Sequence, residues 1–306
     1  METKKTDQEL FSFVEFDHAQ AERTGYSEYS YWKSVLRTFA KNKFAMFLVF
    51  LVVGLCIFAF IANANAKIPF DEIHRSDRLS SPSLTYLFGT DAIGRDMWAR
   101  TWYGTTISIK VAATTTFFCV SIGVIIGCIW GYVRATDRFF TELYNILANV
   151  PQTIYLILLT YIMERGFWTL VFAMCVTGWL TMARNVRNLV FMIRDREYNL
   201  ASRCLGTPLH RMVTKNLIPY LVSVVILRMA LMIPQNISQE VTLSYLGLGL
   251  PSAIPSLGQL LSQGRTKFQD YPHLLIFPSL IVSIITISFY LAGNAFSDAS
   301  DPRNHV

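Results

Sequence analysis

Apolar residues gather into six long runs separated by polar segments, and the length of those runs decides the fold class. The first, at 44–62, supplies about twenty apolar positions, which is what a helix needs to cross a hydrocarbon core roughly 30 Å thick. Five more, at about 107–132, 143–163, 168–190, 218–242 and 273–295, predict the same, and the chain reads as an all-α polytopic membrane protein of about six spans. Ahead of them, residues 1–43 are polar and mixed in charge. Within this leader Tyr31, Val35 and Phe39 alternate with Lys33, Arg37 and Lys41 at helical spacing, which predicts an amphipathic helix on the inner membrane surface.

Composition agrees: of 306 residues 52% are hydrophobic and only 16% charged, too apolar for a soluble domain of this size. Aromatics such as Tyr31, Trp32, Trp102, Tyr103, Trp130, Tyr132, Trp168 and Trp179 stand at the margins of the apolar runs, where amphipathic rings meet the bilayer surface. Lys and Arg fix the orientation, because they stay on the cytoplasmic side. With the N-terminus inside, inner segments collect about seventeen of them, including Arg134, Arg138 and the cluster from Arg184 to Lys215, against about eight outside. An even number of spans returns the C-terminus to the cytoplasm. Four segments follow: the leader at 1–43, the first span and outer loop at 44–104, a membrane core at 105–295 with a long inner loop at 194–219, and a cytoplasmic tail at 296–306.

The net charge of +6 does not indicate nucleic acid, since the basic residues are divided among segments that a membrane separates. Cys56, Cys119, Cys128, Cys175 and Cys204 lack metal-type spacing, and four of them sit in apolar runs as small hydrophobes. His18, His74, His210, His273 and His305 are isolated and read as solvated surface groups. A basic flank before the first run and small residues at 62–66 imitate a signal peptide, but leader and apolar core both exceed signal-peptide dimensions, so the run is expected to be a retained span. Neither a phosphate-binding G-x-x-x-x-G-K-[ST] nor any nucleophile-and-base motif occurs, so no catalysis and no ATP site are expected of this chain. No internal repeat or low-complexity segment is visible.

Sequence-specific function is therefore sought in the two long non-spanning segments and in polar groups inside the spans. In the inner loop, 197–205 predicts a short amphipathic helix with Tyr198, Ala201 and Leu205 on one face. Gly206 stops it as a left-handed cap, and Thr207-Pro208 opens a second helix that leads to Pro219 at the entry of the fifth span. Small residues such as Ala201 and Ser202 let another protein approach, although periodicity alone equally suits a connector packed on its own bundle. Within the spans, Asn149, Pro151 and Gln152 interrupt the third, and Pro234, Gln235, Asn236, Gln239 and Glu240 occupy the outer half of the fifth. Such groups either line a hydrated path or bond between helices. Gly104, Gly123, Gly127 and Gly131 mark a close-packing face on the second span.

The inner loop resembles the coupling loop of ABC-importer permeases, whose pattern is E-A-A, three residues, Gly, nine residues, then I-x-L-P. Gly206 and Pro219 keep that spacing, while Leu200-Ala201-Ser202 and Asn216-Leu217-Ile218-Pro219 depart from the flanking triplets. The outer Phe88-Gly89-Thr90-Asp91-Ala92-Ile93-Gly94-Arg95-Asp96 is similar to the G-T-D-x-x-G-R-D signature of the C-type permease of oligopeptide and dipeptide importers. Glu240 through Gly249, containing Ser244-Tyr245-Leu246-Gly247-Leu248-Gly249, resembles that family's S-[FY]-L-G-L-G segment, and Asp298 to Arg303 its D-x-x-D-P-[RK] ending.

The resemblance implies a type I importer permease fold in the cell membrane, with both termini inside. A sister permease would complete the translocation path for a peptide. Two cytoplasmic ATPase subunits would use ATP and Mg and grip the loop at Glu197, Tyr198, Leu200, Ala201, Ser202, Arg203, Leu205, Gly206 and Pro219. A substrate-binding protein would dock near Gly89, Thr90, Asp91, Gly94, Arg95 and Asp96, which either touch it or brace the loop. Asn149, Gln152, Gln235, Asn236, Gln239 and Glu240 are the candidate path residues. Dipeptides, glutathione or nickel chelates are the alternative cargo, and an ATPase-independent secondary transporter, with Lys110, Arg228 and Glu240 as its ionisable groups, is the rival class.

Overall fold

The computed structural model describes residues 31–65 and 68–300. It is helical: α1 (Tyr31–Lys41), α2 (Lys43–Ala64), α3 (Met97–Tyr132), α4 (Arg134–Ala148), α5 (Gln152–Ile162), α6 (Phe167–Ile193), α7 (Glu197–Cys204), α8 (Ile218–Tyr245), α9 (Leu257–Arg265) and α10 (His273–Ser300). The expected surface helix is α1, and Asn42 separates it from the first span by capping α2 with its Oδ1, which accepts from Ala45 N at 3.1 Å. Residues 1–30 and 301–306 lie outside the described part, and with them His18, His305 and the last half of the tail signature. Helix α10 continues through Ser300, into the segment that begins at 296.

Among the described residues α2, α3, α6 and α10 are long and apolar enough to cross a membrane, and α4 with α5 makes a fifth crossing if the pair is one span. The third expected run does not form a continuous helix. It bends by 82° between α4 and α5, where Pro151 lacks an amide hydrogen and disfavours helical backbone at Val150. The expected fifth run is the 28-residue helix α8, about 42 Å long. The second run begins at Met97, ten residues before the expected boundary at 107, which makes α3 a 36-residue rod.

Rods α3 and α6 form the centre, held at close range by a stripe of glycines. A Cβ on Gly123 would meet Met182 Cβ at 2.6 Å, one on Gly127 would meet Ala183 O at 2.6 Å, and one on Gly131 would meet Val190 Cβ at 2.7 Å. Gly104 belongs to a different contact, against Ser256 of the turn before α9. Around this axis Cys128, Met182, Val186, Val190, Leu217 and Leu221 pack towards the inner end, and Trp102, Ala112, Ile237, Leu257 and Ile285 towards the outer end. Opposite, α2 turns Phe44, Phe47, Phe50, Ile57 and Phe60 outward, as a helix bathed in lipid does.

Candidate functional site: an inner lever, an outer brace and a polar cavity

At the cytoplasmic end the chain leaves α6 at Ile193, forms α7, turns at Gly206, and returns through a helical turn, Leu209–Arg211, and a π-helical run, Met212–Leu217, into α8. The turn at Gly206 is left-handed (φ 72°) and closes a Schellman cap: Gly206 N donates to Arg203 O at 2.9 Å and Thr207 N to Ser202 O at 3.1 Å. No atom lies within 4 Å of a Cβ placed there, so the glycine serves backbone geometry and not packing.

The two faces of α7 differ. Glu197, Tyr198, Leu200, Ala201 and Leu205 are exposed, Leu205 at 86%. On the inner face Asn199 is fully buried; its Nδ2 donates to Ile193 O at 2.8 Å and its Oδ1 accepts from Asn216 Nδ2 at 3.1 Å. Ser202 and Arg203 belong to this anchoring side. Ser202 Oγ also accepts from Asn216 Nδ2, and Arg203 pairs with Asp195 at 3.5 Å while lying 5.2 Å above the Tyr132 ring. Buried Arg194 completes the joint by donating to Gly131 O at 2.9 Å and pairing with Asp195 at 3.2 Å. The loop around α7 is thus tied to the inner ends of α3 and α6 and to the π-helical run that enters α8. Pro219 falls in the first turn of α8, directly after the π-helical run, where its missing amide hydrogen interrupts the ladder between the two.

Outside, the loop residues turn inward. Gly89, Thr90, Asp91, Gly94 and Asp96 are buried, and only Ala92 and Ile93 stand out at the tip. Asp91 Oδ1 accepts from Ile93 N and Arg95 N, and its Oδ2 accepts from Arg95 Nε at 2.7 Å, with the fully buried Arg100 guanidinium 3.7 Å away. Thr90 Oγ1 accepts from Ser80 N and donates to Asp77 O, whose own carboxylate accepts from Tyr86 OH. Both loop glycines have positive φ and sit where a Cβ would strike backbone oxygen, Ser80 O at 2.4 Å and His74 O at 2.0 Å. Asp96 starts α3 by accepting from Trp98 N and Ala99 N. Burial pushes its carboxyl above the usual carboxylate range, a shift that these two amide donors oppose.

Polar groups within the spans separate into two sets. Glu240 is fully buried and accepts from Ser108 Oγ at 2.7 Å and Ser244 Oγ at 2.8 Å, while Ser108 also accepts from Leu257 N, so α3, α8 and α9 meet there. Asn236 Nδ2 donates to Thr116 Oγ1 at 2.8 Å and is mostly tied between helices. The segment after it closes with a second Schellman cap, Gly247 at φ 78°, which folds Gly249 onto Ser244. By contrast Gln152, Gln235 and Gln239 line a cavity of about 350 Å³ that also touches Asn185, Arg228 and one side of Asn236. Asn149 and Glu240 are not part of its wall; Asn149 donates to Asn145 O within α4. His273 is not a solvated surface group: it is only partly exposed, and its Nε2 is buried against Gly89.

Residues 123–306 match the family described as binding-protein-dependent transport system inner membrane component, and residues 30–82 match the N-terminal TM domain of oligopeptide transport permease C. The chain belongs to the binding-protein-dependent inner membrane components. Relatives of this permease include the oligopeptide transport system permease protein AmiD of Streptococcus pneumoniae, 38% identical over 98% of each chain. The oligopeptide permease OppC and the dipeptide permease DppC of Bacillus subtilis are 33% and 35% identical, over 96% and 90% of this chain and 97% and 86% of their own. Among solved structures, a chain of the inward-facing MetNI methionine ABC transporter superposes with TM-score 0.54 at 18% identity, covering 64% of this chain and 94% of that one. That likeness gives the permease the ABC importer fold, and family membership makes it a non-catalytic inner membrane component with ATPase and binding-protein partners.

Four residues that anchor α7 lie inside the expected loop but are not among its expected coupling residues: Arg194, Asp195, Asn199 and Asn216. Their one sequence signal is two asparagines inside otherwise helical stretches, a residue that weakens a helix unless its amide has a partner. Among the described residues no group of three or more His, Cys, Asp or Glu side chains could hold a metal ion.

Proposed function

We propose that this permease is half of the translocation path of an ATP-driven oligopeptide importer. A sister permease supplies the other half, two ATPase subunits that use ATP and Mg dock on α7, and a binding protein delivers the peptide outside. The observation that carries this reading is the outward face of α7. Tyr198, Leu200 and Leu205, exposed at 51%, 43% and 86%, project from a helix whose opposite face is bonded to the end of α6 and to the π-helical run that enters α8. Apolar side chains held rigidly in the cytoplasmic loop suit a groove on a motor subunit, and Asn199, Arg194 and Arg203 carry a push on α7 into α3, α6 and α8. The relatives whose names specify oligopeptides, similar over nearly their full length, favour that cargo, and the 35% identity to a dipeptide permease keeps dipeptides as the second reading.

Gly206 tests the coupling. A left-handed conformation costs a β-carbon-bearing residue about 1–2 kcal/mol, so in proteoliposomes holding the whole complex Gly206→Val lowers peptide uptake per ATP hydrolysed roughly tenfold, while Gly206→Asn, tolerant of this conformation, stays near wild type. Unchanged uptake by Gly206→Val, or ATP-independent uptake by the wild-type complex, would overturn the reading.

A further inference from the structure

Arg228 stands ten residues, about 15 Å, into α8, inside the run 218–242 that the sequence reads as the fifth span. A guanidinium at that depth is costly unless it faces water or a counter-charge. Among the described residues this one has neither a hydrogen-bond acceptor nor an ion-pair partner, although its side chain is exposed to the cavity that it lines. No Asp or Glu contributes to that cavity. Glu240, on the same helix, is fully buried and its two oxygens are occupied by Ser108 and Ser244. The remaining polar wall is built of one hydroxyl, Thr181, and five amides: Gln152, Asn185, Gln235, Asn236 and Gln239. One fixed cation among neutral amides is complementary to a molecule with one carboxylate and a run of peptide groups.

Resting on the importer reading above, we propose that Arg228 is the carboxylate-binding residue of the path, pairing with the C-terminal carboxylate of the peptide while the surrounding amides bond its backbone. An arginine presents a planar fork that engages both carboxylate oxygens, which a lysine does not. The amides donate and accept alike, so they take peptide groups without reading side chains. The C-terminal carboxylate is the one negative group that every unmodified peptide carries, which fits a site of little sequence preference.

The test compares three versions of one neutral peptide in proteoliposomes with the full complex: a free C-terminus, a C-terminal amide, and a C-terminal amide carrying one Glu side chain. The binding protein is common to all, so its own preference cancels when each Arg228 variant is expressed relative to wild type. Arg228→Gln is expected to slow the free-acid peptide about tenfold, the effect of one charge-assisted pair, and to leave both amides within about twofold. Arg228→Lys is expected to recover part of the loss for the free acid alone. An equal loss for all three peptides would assign Arg228 to a bond with the sister permease or to packing, and would overturn the proposal. A loss that follows the Glu side chain would overturn the C-terminal assignment. Wild-type complex that moves none of the three would sink the importer reading itself, a different outcome from either.

Discussion

Asn199 joins three elements through one side chain, receiving Asn216 and donating to Ile193 O in a site closed to water. Asn199→Ala removes both bonds, leaving Asn216 Nδ2 to Ser202 and Ile193 O to Arg196 N, and is expected to cost about 1–3 kcal/mol, read as a lower unfolding temperature in detergent and as faster amide exchange across α7. An unchanged exchange rate would show that the lever is held elsewhere. Asp96 makes a comparable joint outside. Its folded carboxyl takes a proton more readily than the unfolded one, so its contribution favours the fold below the unfolded carboxylate pKa and is lost as pH rises through the raised folded value. Amide exchange in the first turn of α3, corrected for intrinsic rates, should therefore slow on mild acidification. Asp96→Asn keeps the cap and flattens this pH dependence, while Asp96→Ala removes the pH dependence together with the cap and costs about 1 kcal/mol. Gly206 was legible in the sequence because Thr-Pro follows it, a local stop signal. Asn199 was not, because its partners lie on other elements and spacing along one helix says nothing of them.

At the scale of elements, the contact between α3 and α6 depends on absent side chains. Gly127→Ala already places a carbon 2.6 Å from Ala183 O, a backbone atom that cannot step aside, and overpacking of this kind costs about 1–3 kcal/mol. The expected result is a clear loss of folded protein in mild detergent, and Gly54→Ala on α2, with nothing within 4 Å, is the control that should be silent. Equal behaviour of the two would remove the glycine stripe from the account. Run length found where the helices are, since about twenty apolar residues have few other uses. It missed the start of α3 because Arg100 argues against a helix interior until Asp91, from the loop, is known to stand beside it. It also drew α4 and α5 as one span, because hydropathy averages over Pro151 while backbone geometry does not.

For the whole molecule, orientation is the property most open to test. Cys204 is exposed on α7, whereas Cys119, Cys128 and Cys175 are buried and the half-buried Cys56 lies within the candidate span α2, out of reach of an impermeant reagent. A membrane-impermeant maleimide should then label one site in inside-out vesicles, none from the outer side, and fewer copies once ATPase subunits occupy α7. Labelling from outside would reverse the topology. The long reach of α3 bears on how such a molecule works. At 36 residues it extends about 54 Å, well beyond the bilayer interior. Its outer tip is seated in the Asp91 and Asp96 brace, and its foot, through Gly131, is in the grasp of Arg194. A stiff beam of that length, held at both ends, would act as a seesaw in the proposed importer: a swing of the foot one way would carry the tip the other. The mouth and the exit of the proposed path would then be geared by a single piece of backbone, with no chain of side-chain signals between them.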